Sequence, residues 1–205
     1  MPSAWVNERK NEYYFKKAKK EKFRSRASYK LLQAVKKYNF IKPGNLVVDL
    51  GAAPGGWTQA ALKLVEDSGF VLAVDIKPVD DFKEKNVQTI VGDITDPETS
   101  KTILDALPHS ADVVISDVAP NVSGVWELDH ARQIDLATNS LKIATKILRP
   151  GGSFFVKAFQ GRTTNHLVND IKQQFSFVKL VKPKASRSKS AEIYILGKNF
   201  RLTRQ

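Results

Sequence analysis

Five charged side chains stand where apolar runs end, and their positions bound the chemistry open to this chain. Asp49 follows Leu46-Val47-Val48, Asp75 follows Phe70-Val71-Leu72-Ala73-Val74, and Asp93 comes just after Val87–Val91. Asp117 follows the segment Asp112–Ser116, and Lys157 follows Ser153-Phe154-Phe155-Val156. Short apolar runs alternating with helical patterns predict a parallel sheet, and open sheets of that kind bind ligands beyond the carboxyl ends of their strands. Carboxylates placed there accept hydrogen bonds from hydroxyls, amines or an ammonium group. A lysine placed there, beside apolar residues, is a candidate general base, because burial disfavours the charged form of an amine.

The first of these runs opens into Asp49-Leu50-Gly51-Ala52-Ala53-Pro54-Gly55-Gly56-Trp57 and then a helical pattern from Thr58 to Glu66. Strand, small-residue loop and helix make a nucleotide-binding start, in which backbone N–H groups at the helix amino terminus approach the ligand closely. The Gly-x-Ala-x-x-Gly spacing from Gly51 is near a dinucleotide fingerprint, while a Gly-Lys-Ser/Thr phosphate loop is absent. Asp75 lies twenty positions after Gly55, where an acidic residue can grip ribose hydroxyls. Acidic strand ends at Asp49, Asp75 and Asp93 suit an adenosine ligand with a cationic tail, and S-adenosylmethionine is the preferred one. Asp117-Val118-Ala119-Pro120 lacks the aromatic Pro-Pro-Tyr pattern of amino-methylating enzymes, so a base nitrogen is a less attractive target.

The elements that must hold these residues are legible in outline. A helix from Ala27, with Leu31, Leu32, Val35 and Tyr38 at helical spacing, stops at Lys42-Pro43-Gly44. Strands are expected at Leu46–Asp49, Phe70–Val74, Val87–Val91, Asp112–Ser116, Ser153–Val156, Phe177–Val181 and Glu192–Leu196. Helices are expected from Thr58, from Asp96-Pro97 with Asp96 as N-cap, over Asp129–Leu148 and over Asn165–Gln174. The expected class is α/β: a mostly parallel seven-stranded sheet with helices on both faces.

Composition narrows the partners. The 205 residues carry 33 Lys and Arg against 21 Asp and Glu, a formal charge of +12. Ten of the basic residues fall within residues 1–30 against Glu8, Glu12 and Glu21, a local excess of +7. Tyr13, Tyr14, Phe15 and Phe23 are interleaved among them, a pattern that suits phosphates and unpaired bases of RNA. No cysteine and three scattered histidines (His109, His130, His166) argue against a metal centre or disulfides. No apolar run of membrane-spanning length and no signal-peptide core are present, so a cytoplasmic protein without a membrane role is expected.

Five short motifs in order give the chain a family resemblance. Ser25-Arg26-Ala27-Ser28-Tyr29-Lys30-Leu31, Asp49–Trp57, Ser116–Asn121, Val156-Lys157-Ala158-Phe159 and Ser186–Tyr194 together resemble the FtsJ/RrmJ family. These are S-adenosylmethionine-dependent ribose 2′-O-methyltransferases of ribosomal RNA with a Rossmann-like fold. The resemblance implies a catalytic tetrad of Lys30, Asp117, Lys157 and Glu192, and cofactor contacts from Gly55, Trp57, Asp75, Asp93 and Asp117. It implies Lys157 as general base oriented by Asp117, with Lys30 a second cation held by Glu192. The implied substrate is a uridine ribose of large-subunit ribosomal RNA, and nothing in the sequence demands more than a monomer. The expected organisation is a basic extension at residues 1–24, which is less characteristic of the family, and a single methyltransferase domain at 25–205. Other readings remain open: a transfer-RNA or messenger-cap 2′-O-methyltransferase, a non-catalytic ribosome-assembly factor, or a dinucleotide-dependent reductase.

Overall fold

A computed structural model describes residues 12–187 and 190–202. Residues 12–20 are helical (α1), followed by α2 (Ser28–Tyr38), β1 (Leu46–Leu50), α3 (Gly56–Val65), β2 (Phe70–Asp75) and β3 (Val87–Val91). Then come α4 (Pro97–Ala106), β4 (Ala111–Ser116), α5 (Trp126–Ile147), β5 (Leu148–Phe159), α6 (Thr164–Gln174), β6 (Phe175–Val181) and β7 (Glu192–Phe200). The strands form one sheet in the order β3-β2-β1-β4-β5-β7-β6. Pairings from β3 to β5 are parallel, while β7 runs antiparallel to both β5 and β6.

Both faces of the central strands are buried, which is why they read as continuous apolar runs rather than alternating ones. Successive side chains still point to opposite faces. Leu46, Val48, Leu50, Leu72, Val74, Val114, Phe154 and Val156 pack into one core layer with Ile103, Leu141, Ile147 and Leu167 from α4, α5 and α6. Val47, Val71, Val113, Ile115, Phe155, Tyr194 and Leu196 pack into the other, with Leu31, Val35, Trp57 and Leu62 from α2 and α3. Burying each such large apolar side chain contributes roughly 1.5–3 kcal/mol.

From β1 the chain winds to β2 and β3 on one side, then crosses to β4 and β5 on the other. That reversal leaves a crevice beyond the ends of β1 and β4, the expected ligand position in such a sheet. The loops leaving these strands nearly touch: a Cβ on Gly51 would lie 2.7 Å from the Val118 Cβ, and Gly51 has φ +78°. Only glycine fits both the conformation and the approach.

The amino-terminal residues that are described do not stand apart. Ala18 and Phe23 are buried in the α2–α3 core layer, Phe23 meets Tyr29 edge-on, and Gln33 donates to the Tyr14 hydroxyl at 2.8 Å. Of the aromatics read as RNA-stacking, Tyr14 and Phe23 therefore pack on the domain, while Tyr13 and Phe15 are exposed. Residues 1–11, with Arg9 and Lys10, lie outside the described residues.

Candidate functional site

Strand register assembles the charged cluster. Ser116 of β4 pairs with Val156 of β5, so the next residues, Asp117 and Lys157, emerge side by side. Lys157 in turn pairs with Tyr194 of β7, and Phe159 pairs with Glu192. Lys157 Nζ lies 3.2 Å from Asp117 Oδ1 and donates to the Asp117 carbonyl at 2.5 Å. On the other side, Lys30 Nζ from α2 meets Glu192 Oε2 at 2.7 Å, and Ser186 Oγ donates to Glu192 Oε1 at 2.8 Å. The buried Tyr194 links the two ion pairs. Its hydroxyl donates to Asp117 Oδ1 at 2.8 Å, and Lys30 Nζ sits 5.6 Å from its ring centroid. Burial first, then the Asp117 and Glu192 carboxylates, hold the Tyr194 phenol well above its ordinary value, so it stays a hydrogen-bond donor.

All four residues of the expected tetrad thus meet in one cluster, with both lysines buried. Three members of its surroundings were not singled out by sequence reasoning. Tyr194 shares a strand face with Glu192 two residues earlier, and that spacing was a usable signal. Ser186 lies in the motif that carried the resemblance, but its role as a Glu192 partner needs the folded loop. Gln133, fully buried on α5, donates to the carbonyls of Val118 (3.2 Å) and Lys157 (3.1 Å), tying β4 and β5 together behind the cluster. Nothing in the sequence marks it.

Beside the cluster a cleft of about 530 Å³ is lined by residues from the ends of β1, β2, β3 and β4, including Gly51, Asp75, Asp93, Val118 and Asn121. Asp75 accepts from the backbone N–H of Ala53 through Oδ2 and of Lys77 through Oδ1, both at 2.9 Å. Asp93 accepts from the Thr95 N–H at 2.8 Å and the Thr95 hydroxyl at 2.7 Å, which hold its carboxyl below the usual range. Asp49, expected at a strand end, lies within β1 and is fully buried. Thr58 donates to its Oδ2 at 2.7 Å, and its Oδ1 is buried with no hydrogen-bond partner. Burial, opposed by Thr58 and reinforced by the negative charges of Asp117 and Asp75, pushes the Asp49 carboxyl up to about 7. Asp75 and Asp93 in the lining of the cleft, with the buried Asp49 close enough to feel the charges of Asp117 and Asp75, fit a ligand that brings positive charge and hydrogen-bond donors, as a sulfonium nucleoside does.

Of the expected cofactor contacts, Gly55, Trp57 and Asp117 stand outside this lining. At Gly55 (φ +100°) a Cβ would meet Arg24 Nη1 at 2.6 Å and Phe82 at 2.9 Å. Arg24 occupies that space to donate to the carbonyls of Pro54, Asp80 and Asp81, and its guanidinium lies 4.0 Å from the Phe82 centroid. The Trp57 indole is buried, stacks on Phe155 at 5.7 Å and donates to the Ala27 carbonyl at 2.9 Å. Its ring serves the core, which leaves the loop backbone as its means of meeting a ligand.

A second cleft, of about 340 Å³, opens on the other side of the Asp117–Val122 loop and is lined by Arg26, Lys30, Trp126, Phe159, Arg187 and Glu192 among others. Donor and acceptor of a group transfer could be held on opposite sides of one lysine cluster. Among the described residues no helix is long and apolar enough to cross a membrane.

The family of FtsJ-like methyltransferases matches residues 23–200. A relative from Methanococcus aeolicus, ribosomal RNA large subunit methyltransferase E, is 50% identical over 196 residues, covering 96% of this chain and 73% of the relative. The protein of the same name from Methanocaldococcus jannaschii is 49% identical over 199 residues, covering 96% and 81% respectively. Among solved structures, a Plasmodium falciparum protein described as a ribosomal RNA methyltransferase superposes with a TM-score of 0.76 at 31% identity, covering 89% of this chain and all of that one.

Proposed function

Since the chain belongs to the FtsJ-like methyltransferase family, and so is an S-adenosylmethionine-dependent enzyme, we propose that it methylates a ribose 2′-hydroxyl of large-subunit ribosomal RNA, on a uridine. The observation that carries the reading is the paired-lysine cluster, Lys157–Asp117 joined through Tyr194 to Lys30–Glu192, lying between an acidic cleft and a basic one. The names of the relatives support ribosomal RNA of the large subunit as the target class. All the side chains of the cluster come from one chain, which suits a monomer, and such a substrate suits a cytoplasmic enzyme.

The bound cofactor supplies an activated methyl group on a cationic sulfur. Asp75 and Asp93 would accept from its hydroxyl and amine donors, the Gly55–Trp57 backbone would face it at the start of α3, and Asp117 would add negative charge. A ribose hydroxyl is a weak nucleophile, so this chain's own residues must orient it and take its proton. Positioning alone can be worth roughly 7–11 kcal/mol. Lys157, held by the Asp117 carboxylate and carbonyl, has its nitrogen fixed in direction and is the base in this reading. Lys30, fixed by Glu192, supplies a cation beside the acceptor cleft, where it steadies negative charge on the ribose oxygen or its phosphate.

The test is methyl transfer from labelled S-adenosylmethionine to unmodified large ribosomal subunits, free ribosomal RNA and transfer RNA, followed by alkaline hydrolysis. Label in an alkali-resistant dinucleotide that begins with uridine, from the ribosomal substrate and lost in Lys157→Ala, is the expected result. Label released as single nucleotides would mean methylation of a base and would sink the proposal.

A further inference from the structure

The acceptor cleft contains an aromatic surface that the tetrad chemistry does not use. Trp126, the first residue of α5, stacks on His130 at 5.8 Å and on Phe159 at 6.0 Å, with interplanar angles of 19° and 22°. It is nonetheless 45% exposed, unusual for so large an apolar ring. Its neighbours Val122 and Val125 are exposed as well. A stack that exposed is not explained by core packing.

The surface is built to stay in place. His130 is buried, and its Nε2 meets the Thr163 N–H at 3.3 Å and the Thr163 hydroxyl at 3.0 Å. Gly161 leaves no room behind the imidazole, since a Cβ there would lie 2.7 Å from His130 Cε1. The loop before Trp126 is tied by the buried Asp129, whose carboxylate accepts from the Ser123 N–H and hydroxyl, each at 2.7 Å, and from the Gly124 N–H at 3.1 Å. Phe159, the third ring, pairs across strands with Glu192, so the stack begins one residue pair from the Lys30–Glu192 bridge.

Charge around the cleft selects the occupant. Arg26 and Arg187 both line it, close enough that Arg187 and, more strongly, burial disfavour the Arg26 cation, with Glu192 opposing. Two adjacent guanidinium groups favour a bridging anion, and guanidinium forks match phosphate geometry. Aromatic face, paired arginines and a nearby ribose-directed lysine together describe a nucleotide.

We propose that Trp126, seated on His130 and Phe159, is the stacking platform for the nucleobase of the acceptor nucleotide, with Arg26 and Arg187 receiving an adjoining phosphate. The inference rests on the ribose-methyltransferase reading and adds the subsite that presents the ribose to Lys157. Because every base has a π-face, the platform fixes the nucleotide's position and leaves sequence choice to other contacts.

The experiment compares wild type, Trp126→Phe and Trp126→Ala in steady-state methyl transfer to unmodified large subunits, with cofactor affinity and thermal melting measured alongside. Trp126→Ala should lower kcat/KM for RNA by roughly tenfold to a hundredfold, the usual worth of one base–aromatic stack. Trp126→Phe should recover most of that loss, and neither change should move cofactor affinity or Tm appreciably. A Trp126→Ala enzyme within twofold of wild type, or an equal loss in both variants, overturns the platform. A fall in cofactor affinity that accounts for the loss overturns it too. Wild-type protein that methylates no RNA overturns the methyltransferase reading itself and takes this inference with it. Should Trp126→Ala not fold, intrinsic tryptophan fluorescence decides. In vitro-transcribed large-subunit RNA, which carries no tryptophan, should quench wild type more than Trp126→Phe, and an undiminished quench in that variant overturns the platform.

Discussion

On the donor side of the Asp117–Val122 loop, acids outnumber cations: Asp75, Asp93 and Asp135 line that cleft with Lys77 and Arg132. On the acceptor side the balance reverses, with Arg26, Lys30 and Arg187 against Asp129 and Glu192. The two clefts also differ in what holds their charges. Asp75 is fixed by two backbone N–H groups and Asp93 by its neighbour Thr95, so each is set by the fold of its own loop. The lysine cluster is fixed by side chains from α2, β5 and β7 and the loops beside them, each dependent on the others. A site held by local backbone should lose function one contact at a time. A site held by a side-chain network should fail as a unit. The sign difference has a plain cause: one side must attract a sulfonium cation, the other a polyanion.

The largest effect expected from this contrast is at Lys157. Lys157→Ala should lower the single-turnover rate by ~10²–10⁴, the usual worth of general-base catalysis, while calorimetric affinity for S-adenosylmethionine stays within twofold of wild type. A rate within threefold of wild type would remove the base assignment. Next in size is the network itself. Lys30→Met leaves Glu192 partly buried without its cation, and Glu192→Gln leaves Lys30 without its anion. Each should cost roughly 1–3 kcal/mol in transition-state stabilisation, and the double variant should lose little more than the worse single one. Additive losses would mean two independent residues and would break the contrast between the two clefts.

How far the sequence carried these assignments differs between the same two regions. The donor side was readable because it is local: apolar runs, the glycine loop and an acidic residue near each strand end follow one another along the chain. Asp96 does cap α4, accepting from the Glu98 N–H at 2.9 Å with Pro97 in the first turn. The acceptor side depends on long-range pairing. The last strand inserts between β5 and β6, so Glu192 starts an interior strand facing Phe159. Pro150-Gly151-Gly152 reads as a turn, yet β5 begins at Leu148 and runs through it as an irregularity, since Ala111 pairs with Leu148 and Val113 with Ser153. The first turn of α5 was missed because Val125 offers no side-chain cap. Asp129, read as the helix start, lies inside the helix and ties down the preceding loop instead. Tertiary contacts decided each of these cases, and no window of sequence contains them.

A smaller change tests the donor side. Asp75→Asn keeps one acceptor oxygen but turns an amide N–H₂ toward a backbone N–H. Cofactor Kd should rise roughly tenfold, as when one charge-assisted hydrogen bond is lost, with no change in filter-binding affinity for ribosomal RNA. Weakened RNA binding would show that the two sides are not separable.

A final expected effect concerns the stability of the fold at Asp49, and its sign follows from linkage. The folded carboxyl titrates at about 7, raised mainly by burial, whereas an unfolded aspartate titrates near ~3.9. Between those values the folded chain keeps a proton that the unfolded chain has released. Asp49 therefore contributes stability that is complete below ~pH 4 and is lost as pH rises toward 7. Asp49→Asn is neutral at every pH and can still accept from Thr58, so it should escape that loss. Without cofactor, the Tm of Asp49→Asn minus that of wild type should grow between pH 5 and pH 8 by several degrees, on the order of 2–4 °C per kcal/mol for a chain of this size. Saturating S-adenosylmethionine should shrink the difference at pH 8, because a cation in the crevice favours the ionised carboxyl. S-adenosylhomocysteine, which lacks the sulfonium charge, should shrink it less. Parallel Tm–pH curves for the two proteins would mean that Asp49 does not change charge in this range. The raised proton affinity would then have to be abandoned, and with it the argument that Asp49 takes up negative charge when a cation enters the donor side.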